Sequence, residues 1–256
     1  MNAPASAERF QQRSADYTRY RPGYPAPLLD AVSRVVGLTP GRVAADIGSG
    51  TGIFTRLLLD RGLRVQAVEP SADMRRAAET ALGGRPGFVS VAGTADATTL
   101  PAHSIDVICC AQAFHWFNRQ ATRDEWQRIV RPGGHAVLAW NHQDYSSDFG
   151  QAYYELMLEL GDGARDVIAA SRRTAEDNVL FPGGAAQRIA HPNEQLLDFA
   201  GLVGRTASNS YMPKPGEPRY AGMVERLKPL FAAFARDGRV RLTYTTQAVF
   251  GTLQAA

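Results

Sequence analysis

The stretch VAADIGSGTGIFTRLLL, residues 43–59, limits what this chain can fold into more than any other part of it. A short apolar run leads into Gly48, Gly50 and Gly52 at alternate positions, and these lead into an amphipathic run. Glycine supplies the left-handed backbone angles of a tight turn and lets a ligand come close to the main chain. The pattern therefore predicts a strand, a turn and a helix, with something bound at the turn.

The same rhythm continues on both sides. Leu28, Leu29, Val32, Val35 and Val36 make one face of a helix near 25–36, ended by the turn residues GLTPGR. Short apolar strands are expected at Val43 to Ile47, Val65 to Val68, Phe88 to Val91, Ile105 to Cys110 and His135 to Trp140. Helices fall between them: one carrying Phe54, Leu57 and Leu58, one capped by Ser71 and running through Met74, Ala77 and Ala78, and one around Trp126, Ile129 and Val130. Strands that alternate with helices and are apolar on both faces make a parallel sheet covered on both sides.

After Trp140 the rhythm breaks. Residues 141–185 contain a helix at Tyr153 to Leu160, the polar stretch SRRTAEDN and the turn FPGG, and are expected to form an inserted cap. Downstream, Tyr220, Met223, Leu227, Leu230, Phe231 and Phe234 recur at helical spacing, while Val240, Leu242, Tyr244, Thr246, Ala248 and Phe250 alternate as in a half-buried edge strand. The expected organisation is one domain over 1–256: an N-terminal lid and first helix at 1–37, a core at 38–140, the cap at 141–185, and a C-terminal completion of the sheet at 186–256.

Composition removes several functional classes. A chain of 256 residues with 45% apolar content can fill a sizeable core. The net charge is +3, but the arginines are scattered and form no stripe, which argues against nucleic acid. No apolar run reaches the roughly eighteen residues of a membrane span, and the opening MNAPASAERFQQRSADY lacks the signs of a secretory leader. Cys109 and Cys110 are adjacent inside IDVICCAQAF, so they are expected as small core residues of a reduced, cytoplasmic protein. His103, His115, His135, His142 and His191 lack metal-ligand spacing, and no metal is expected.

The chemistry of the turn narrows the ligand. Asp46-Ile47-Gly48-Ser49-Gly50-Thr51-Gly52 fits G-x-G-x-G but neither the dinucleotide G-x-G-x-x-G nor a G-x-x-x-x-G-K phosphate loop. Asp46 would repel a pyrophosphate and welcome a ligand bearing an ammonium and a sulfonium. Glu69 closes the second strand, where ribose hydroxyls lie in Rossmann-type sheets, and Asp96 in GTADATTL can accept from the exocyclic amine of adenine. Structural readings stand beside these: a helix N-terminal charge partner for Asp46, a solvated carboxylate for Glu69, a loop cap for Asp96, a surface ion pair for Arg21.

Together DIGSGTG, VEPSADM, GTADATTLP, SIDVICCAQAFHWF and RPGGHAVLAW, in that order over about 40–140, resemble the class I S-adenosylmethionine-dependent methyltransferases. The resemblance implies a Rossmann-like, doubly wound α/β fold: a mostly parallel seven-stranded sheet with an antiparallel last strand and a helical cap insertion. DYTRYRPGYP, QAFHWF and LVGRTASNSYMP further resemble the small-molecule subgroup labelled methyltransferase type 11 or trans-aconitate methyltransferase-like. In that group Tyr17 and Arg21 would lie on an N-terminal segment folded over the cofactor, with the Arg21 guanidinium on the methionyl carboxylate. The implied S-adenosylmethionine contacts are Tyr17, Arg21, Asp46, Gly48, Ser49, Gly50, Glu69, Pro70, Met74, Ala95, Asp96 and Gln112. The implied partner is a small-molecule methyl acceptor, with no nucleic acid or membrane, and the chain is expected as a monomer or homodimer.

Two readings of the acceptor end remain open. His115, just after the fourth strand, is either a general base for an oxygen nucleophile or a packing residue beside Trp116 and Phe117. Tyr20, Trp116 and Trp140, with Tyr17, Tyr24, Tyr153 and Tyr154, are expected to wall an apolar acceptor pocket. The alternatives are a noncatalytic nucleoside-binding or partner-binding protein on the same fold, and an NAD-dependent oxidoreductase, which Asp46 and the glycine spacing disfavour.

Overall fold

The computed structural model describes residues 19–174, 180–181 and 186–253. Strands β1 (Val43–Ile47), β2 (Arg64–Val68), β3 (Phe88–Val91), β4 (Ile105–Ala111), β5 (Val130–Gln143), β6 (Gln187–Leu197) and β7 (Val240–Thr252) form one seven-stranded sheet in the order β3-β2-β1-β4-β5-β7-β6. Pairings among β1 to β5 are all parallel, and β7 is antiparallel to both β5 and β6. This is the Rossmann-like doubly wound architecture with one reversed strand. The helices are α1 (Ala26–Val36), α2 (Ile53–Asp60), α3 (Ala72–Leu82), α4 (Arg119–Ile129), α5 (Asp148–Leu160), α6 (Ala164–Thr174), α7 (Phe199–Ala207) and α8 (Pro218–Phe234).

Successive residues of a strand face opposite sides of the sheet, so a strand covered on both faces must be apolar throughout. Ala45 and Ile47 of β1 enter one core cluster with Ile108, Trp126 and Leu138, while Ala44 enters the other with Leu28, Leu58 and Val65. The same alternation separates the two cysteines: Cys109 packs into the second cluster and Cys110 into the first, both buried and free. Short polar caps define the helix starts. The Ser71 hydroxyl accepts from the Met74 amide, and the Asp198 carboxylate accepts from the Gly201 amide at 2.7 Å.

One placement differs from expectation. The alternating strand at 240–250 is not the edge but lies between β5 and β6, with Val137 opposite Phe250 and Ile189 opposite Ala248. The edge on this side is β6, and none of its residues is buried. Its sequence QRIAHPNEQLL carries Pro192 and alternating polar residues, which suits a strand with one free side and hides it from a search for apolar runs. Beyond residue 141, Phe149 and Tyr153 of α5, Leu202 of α7, Met223 and Leu227 of α8 and Leu242 and Tyr244 of β7 build a third cluster. Tyr145, two residues past the end of β5, packs against this cluster.

Candidate functional site

The glycine turn joins β1 to α2, and each of its glycines has left-handed backbone angles: φ is 70° at Gly48, 57° at Gly50 and 83° at Gly52. Their surroundings differ. A Cβ on Gly48 would come within 2.7 Å of the Ala113 methyl and one on Gly52 within 2.6 Å of Leu82, so these two permit packing against the β4 loop and α3. Gly50 has open space beside it and lines a cavity. The Gly48 and Ser49 amides donate to the Val68 carbonyl at 2.9 and 3.1 Å, and the Gly50 amide donates to Glu69 at 3.0 Å. The end of β2 thus fixes the turn.

Asp46 sits below that turn, fully buried. One carboxylate oxygen accepts from the Thr55 hydroxyl at 2.6 Å, in the first turn of α2, and the other has no partner. Burial pushes its carboxyl up to about 7; the Thr55 bonds oppose the shift and the nearby Glu69 charge adds to it. One oxygen of Asp46 thus serves the helix start, and the residue also lines the cavity. Glu69 is buried as well, and burial raises its carboxyl while amide bonds from Ser71 at 2.9 Å and Gly50 oppose that. Each Glu69 oxygen holds one amide, which leaves a further acceptor site on each.

From the turn the cavity extends across the carboxyl ends of β4 and β5 to α6 and the end of α7. Gln112, at the end of β4, adopts a φ of 61° and donates its own amide to the Ala139 carbonyl at 2.8 Å. A non-glycine residue in that region costs conformational energy and is held there by its neighbours. His115 lies on the short helical turn Phe114–Trp116, its ring 4.7 Å from that of Trp116, and its Nδ1 is buried without a partner. Burial lowers its imidazole to about 4, assisted by the Arg21 and His142 charges. This environment favours the neutral imidazole.

A strap of residues 20–24 crosses the same edge. The Gly23 carbonyl accepts from Asn141 at 3.1 Å and Asn193 at 2.9 Å, the Tyr20 carbonyl accepts from Gln195 at 3.0 Å, and Arg21 donates to the Ser208 carbonyl at 2.7 Å. Arg21 and Tyr24 consequently line the cavity.

Of the residues singled out from sequence, Arg21, Asp46, Gly48, Ser49, Gly50, Gln112, His115 and Trp116 line this one cavity. Glu69, Pro70, Met74, Ala95 and Asp96 do not line it; they lie on the β2 and β3 side of the turn, where Asp96 accepts from Thr94 at 2.6 Å. Trp140 is not a wall residue. It is 1% exposed and packs in the first core cluster with Ala136 and Leu138, the residues that share its face of β5. Tyr20 lies against Gly204, where its ring leaves no room for a Cβ, and also sits outside the cavity wall. Tyr153 is buried, with its hydroxyl against Thr206 at 2.9 Å. Tyr17 falls outside the described residues. Unforeseen are Tyr145, Tyr211, His142, Arg172, Arg205 and Asn209, all in the wall. Arg205, Asn209 and Tyr211 fall inside LVGRTASNSYMP, but that resemblance gave them no role, and no motif marks Tyr145, His142 or Arg172; the six come together only through the packing of α6, α7 and β5. Among the described residues, no group of acidic, histidine or cysteine side chains is placed to hold a metal, and no helix is long and apolar enough to cross a membrane.

A family model described as a methyltransferase domain matches residues 45–138. Uncharacterized methyltransferases of Mycobacterium tuberculosis and Mycobacterium bovis are 31% identical over 241 residues, which cover 93% of this chain and 92% of theirs. The chain belongs to the class I S-adenosylmethionine-dependent methyltransferases. A methyltransferase-like protein of Schizosaccharomyces pombe is 25% identical over 248 residues, covering 93% of each chain. Among solved structures, a provisionally named type II methyltransferase of Anaeromyxobacter dehalogenans shares the fold with a TM-score of 0.67 at 21% identity, over 93% of this chain and 100% of that one. The site of this methyltransferase fits the cofactor of its family on one observation in particular: a buried carboxylate oxygen without a partner, on a residue lining the cavity under an open glycine turn. A ligand with a cationic amino group supplies what that oxygen lacks.

Proposed function

We propose that this protein methylates a small-molecule acceptor, through an oxygen nucleophile, inside the cavity that runs from the glycine turn to α7. When bound, S-adenosylmethionine supplies a methyl group made electrophilic by its sulfonium. The chain's own part is to bind, align and exclude water. Asp46 takes the ammonium on its free oxygen, Arg21 takes the methionyl carboxylate, and Gly48, Ser49, Gly50 and Gln112 give the backbone a close approach. Glu69 accepts from the ribose hydroxyls while keeping its amide bonds to the turn. Pro70, Met74, Ala95 and Asp96 enclose the adenine, and Asp96 accepts from its amine. The strap at 20–24 and the helices of 141–185 cover the site as a lid. A small-molecule partner suits a cavity closed in this way, without nucleic acid or a membrane surface.

His115 has a defined part in this reading. With its imidazole lowered to about 4, it is neutral at physiological pH, and its unpartnered Nδ1 can accept a hydrogen bond from a hydroxyl of the acceptor. That bond aims an oxygen lone pair along the line of transfer, with Trp116 as the adjoining wall. So low a basicity makes His115 an aligning residue more than a strong base.

The observation that carries the proposal is the unpartnered Asp46 oxygen. Calorimetry with S-adenosylmethionine and S-adenosylhomocysteine tests it, with roughly micromolar affinity expected for both. Screening pooled metabolites with methyl-labelled cofactor then tests turnover. A folded protein that gives no heat with either ligand would overturn the reading.

A further inference from the structure

Arg205 is hard to account for as a structural residue alone. It lies near the end of α7, is 5% exposed, and lines the cavity. Its Nε donates to the Tyr244 hydroxyl at 3.2 Å, one Nη donates to Asn209 at 2.9 Å, and the guanidinium lies 5.9 Å from the Tyr244 ring centre. All of these partners are neutral. The other Nη makes no hydrogen bond among the described residues, and the groups that act electrostatically on Arg205 are the tyrosines Tyr244, Tyr153 and Tyr211. A buried guanidinium without an anion is a costly arrangement, and cations in protein interiors are ordinarily paired.

Among the described residues, the rest of the wall does not supply the missing charge: Asp46 is the one acidic residue there, and it belongs to the glycine-turn end. Arg172 of α6 adds a second cation near the opening: exposed, donating to the Gln143 carbonyl at 3.0 Å, 5.7 Å from the Tyr145 ring centre, and without a carboxylate partner among the described residues. Tyr145 and Tyr211 place aromatic surface in the same wall. One end of the cavity therefore offers a carboxylate to a cation, and the other offers two guanidiniums to an anion.

We propose that the methyl acceptor carries an anionic group, a carboxylate or a phosphate, that docks on Arg205 and Arg172, apart from the atom that receives the methyl. This rests on the methyltransferase reading above and goes beyond it by naming the chemistry of the acceptor. Planar guanidinium forks suit both oxyanions, and Arg205 is already held in place by Tyr244 and Asn209, so little is lost in ordering it. The Tyr145 and Tyr211 rings flank an apolar spacer between the anion and the reactive oxygen.

The probes are acetate and inorganic phosphate, titrated onto protein saturated with S-adenosylhomocysteine, with chloride at matched ionic strength as the reference. At least one oxyanion is expected to raise the melting temperature beyond chloride with millimolar affinity, and the stronger of the two identifies the anionic group. The effect should vanish in Arg205→Gln, persist in Arg205→Lys, and weaken several-fold in Arg172→Ala, with S-adenosylhomocysteine affinity unchanged in all three. Arg172 is exposed, so its variant keeps the test decisive if Arg205→Gln does not fold. Neither oxyanion exceeding chloride, or equal gains in wild type and both charge-removing variants, would overturn the proposal. Failure of wild-type protein to bind S-adenosylhomocysteine would instead overturn the cofactor reading.

Discussion

The two ends of the cavity are built in different ways. At the glycine turn, Gly48, Ser49 and Gly50 are fixed by Val68 and Glu69, the last residues of the neighbouring strand and its exit, and Asp46 is fixed by Thr55 nine positions on. At the α7 end, Arg205 is braced by Tyr244 and Tyr153 by Thr206, pairs separated by 39 and 53 positions. The first end is one supersecondary unit and can be shared by any chain that keeps the unit. The second exists only when the third core cluster has packed, so it is free to differ between chains with different acceptors. On the proposed reading, the cofactor and the acceptor are recognised by parts with separate structural origins.

If so, changes at one end should leave the other intact. The largest effect is expected from Glu69→Ala, which removes the acceptor for two amides and the ribose contact together. Cofactor affinity should fall by about 1.5–3 kcal/mol, with a fall in melting temperature as the Gly50 and Ser71 amides lose their partner. Titration and thermal melting measure both. Oxyanion binding at the α7 end should survive in whatever fraction stays folded, and its disappearance would break the comparison.

A smaller effect is expected from His115→Ala, which lies between the two ends. Because its imidazole is lowered to about 4, it stays neutral from pH 6 to 8, and wild-type turnover should show no limb from His115 in that range. Turnover should drop by less than about tenfold, below the usual loss for a general base, with cofactor affinity nearly unchanged. A rising limb near pH 6–7 that disappears in the variant would make His115 the base after all. The smallest effect belongs to Thr55→Val. Losing the hydroxyl removes a bond that favours the charged carboxylate, so Asp46 should rise further and cofactor affinity at neutral pH should weaken a few-fold in titrations.

The same contrast governs what can be read from sequence. Asp46 to Gly52, Glu69 and the capping Ser71 are legible because their partners are near in the chain or one strand away, and glycine and carboxylate have few other reasons to occupy such positions. The core strands are legible because burial on both faces forces continuous apolar runs. β6 is illegible because an edge strand is under no such demand, and α7 because FAGLVGRTA is short and contains two glycines. Trp140 shows a subtler failure: strand alternation decides that it faces the core with Leu138, and an aromatic beside the site does not reveal which face it takes. Arg205 lies inside LVGRTASNSYMP, but that stretch gives it no role until Tyr244 and Asn209 close around it.

The account's central claim, that Asp46 receives the cationic end of S-adenosylmethionine, is tested most directly by calorimetry in buffers of different ionisation enthalpy between pH 5 and 8. In the free protein burial holds the carboxyl up at about 7, so below that pH it is mostly protonated. An acid raised in this way favours the folded protein at low pH and loses that contribution as pH climbs towards 7. A cationic ligand prefers the ionised form, so binding should release a proton below about pH 7, and affinity should grow as pH rises and level off above it. In Asp46→Asn the proton release should vanish and affinity at pH 8 should fall by about 1.5–3 kcal/mol. Binding that releases no proton at pH 6 and is equally tight in Asp46→Asn would contradict the claim.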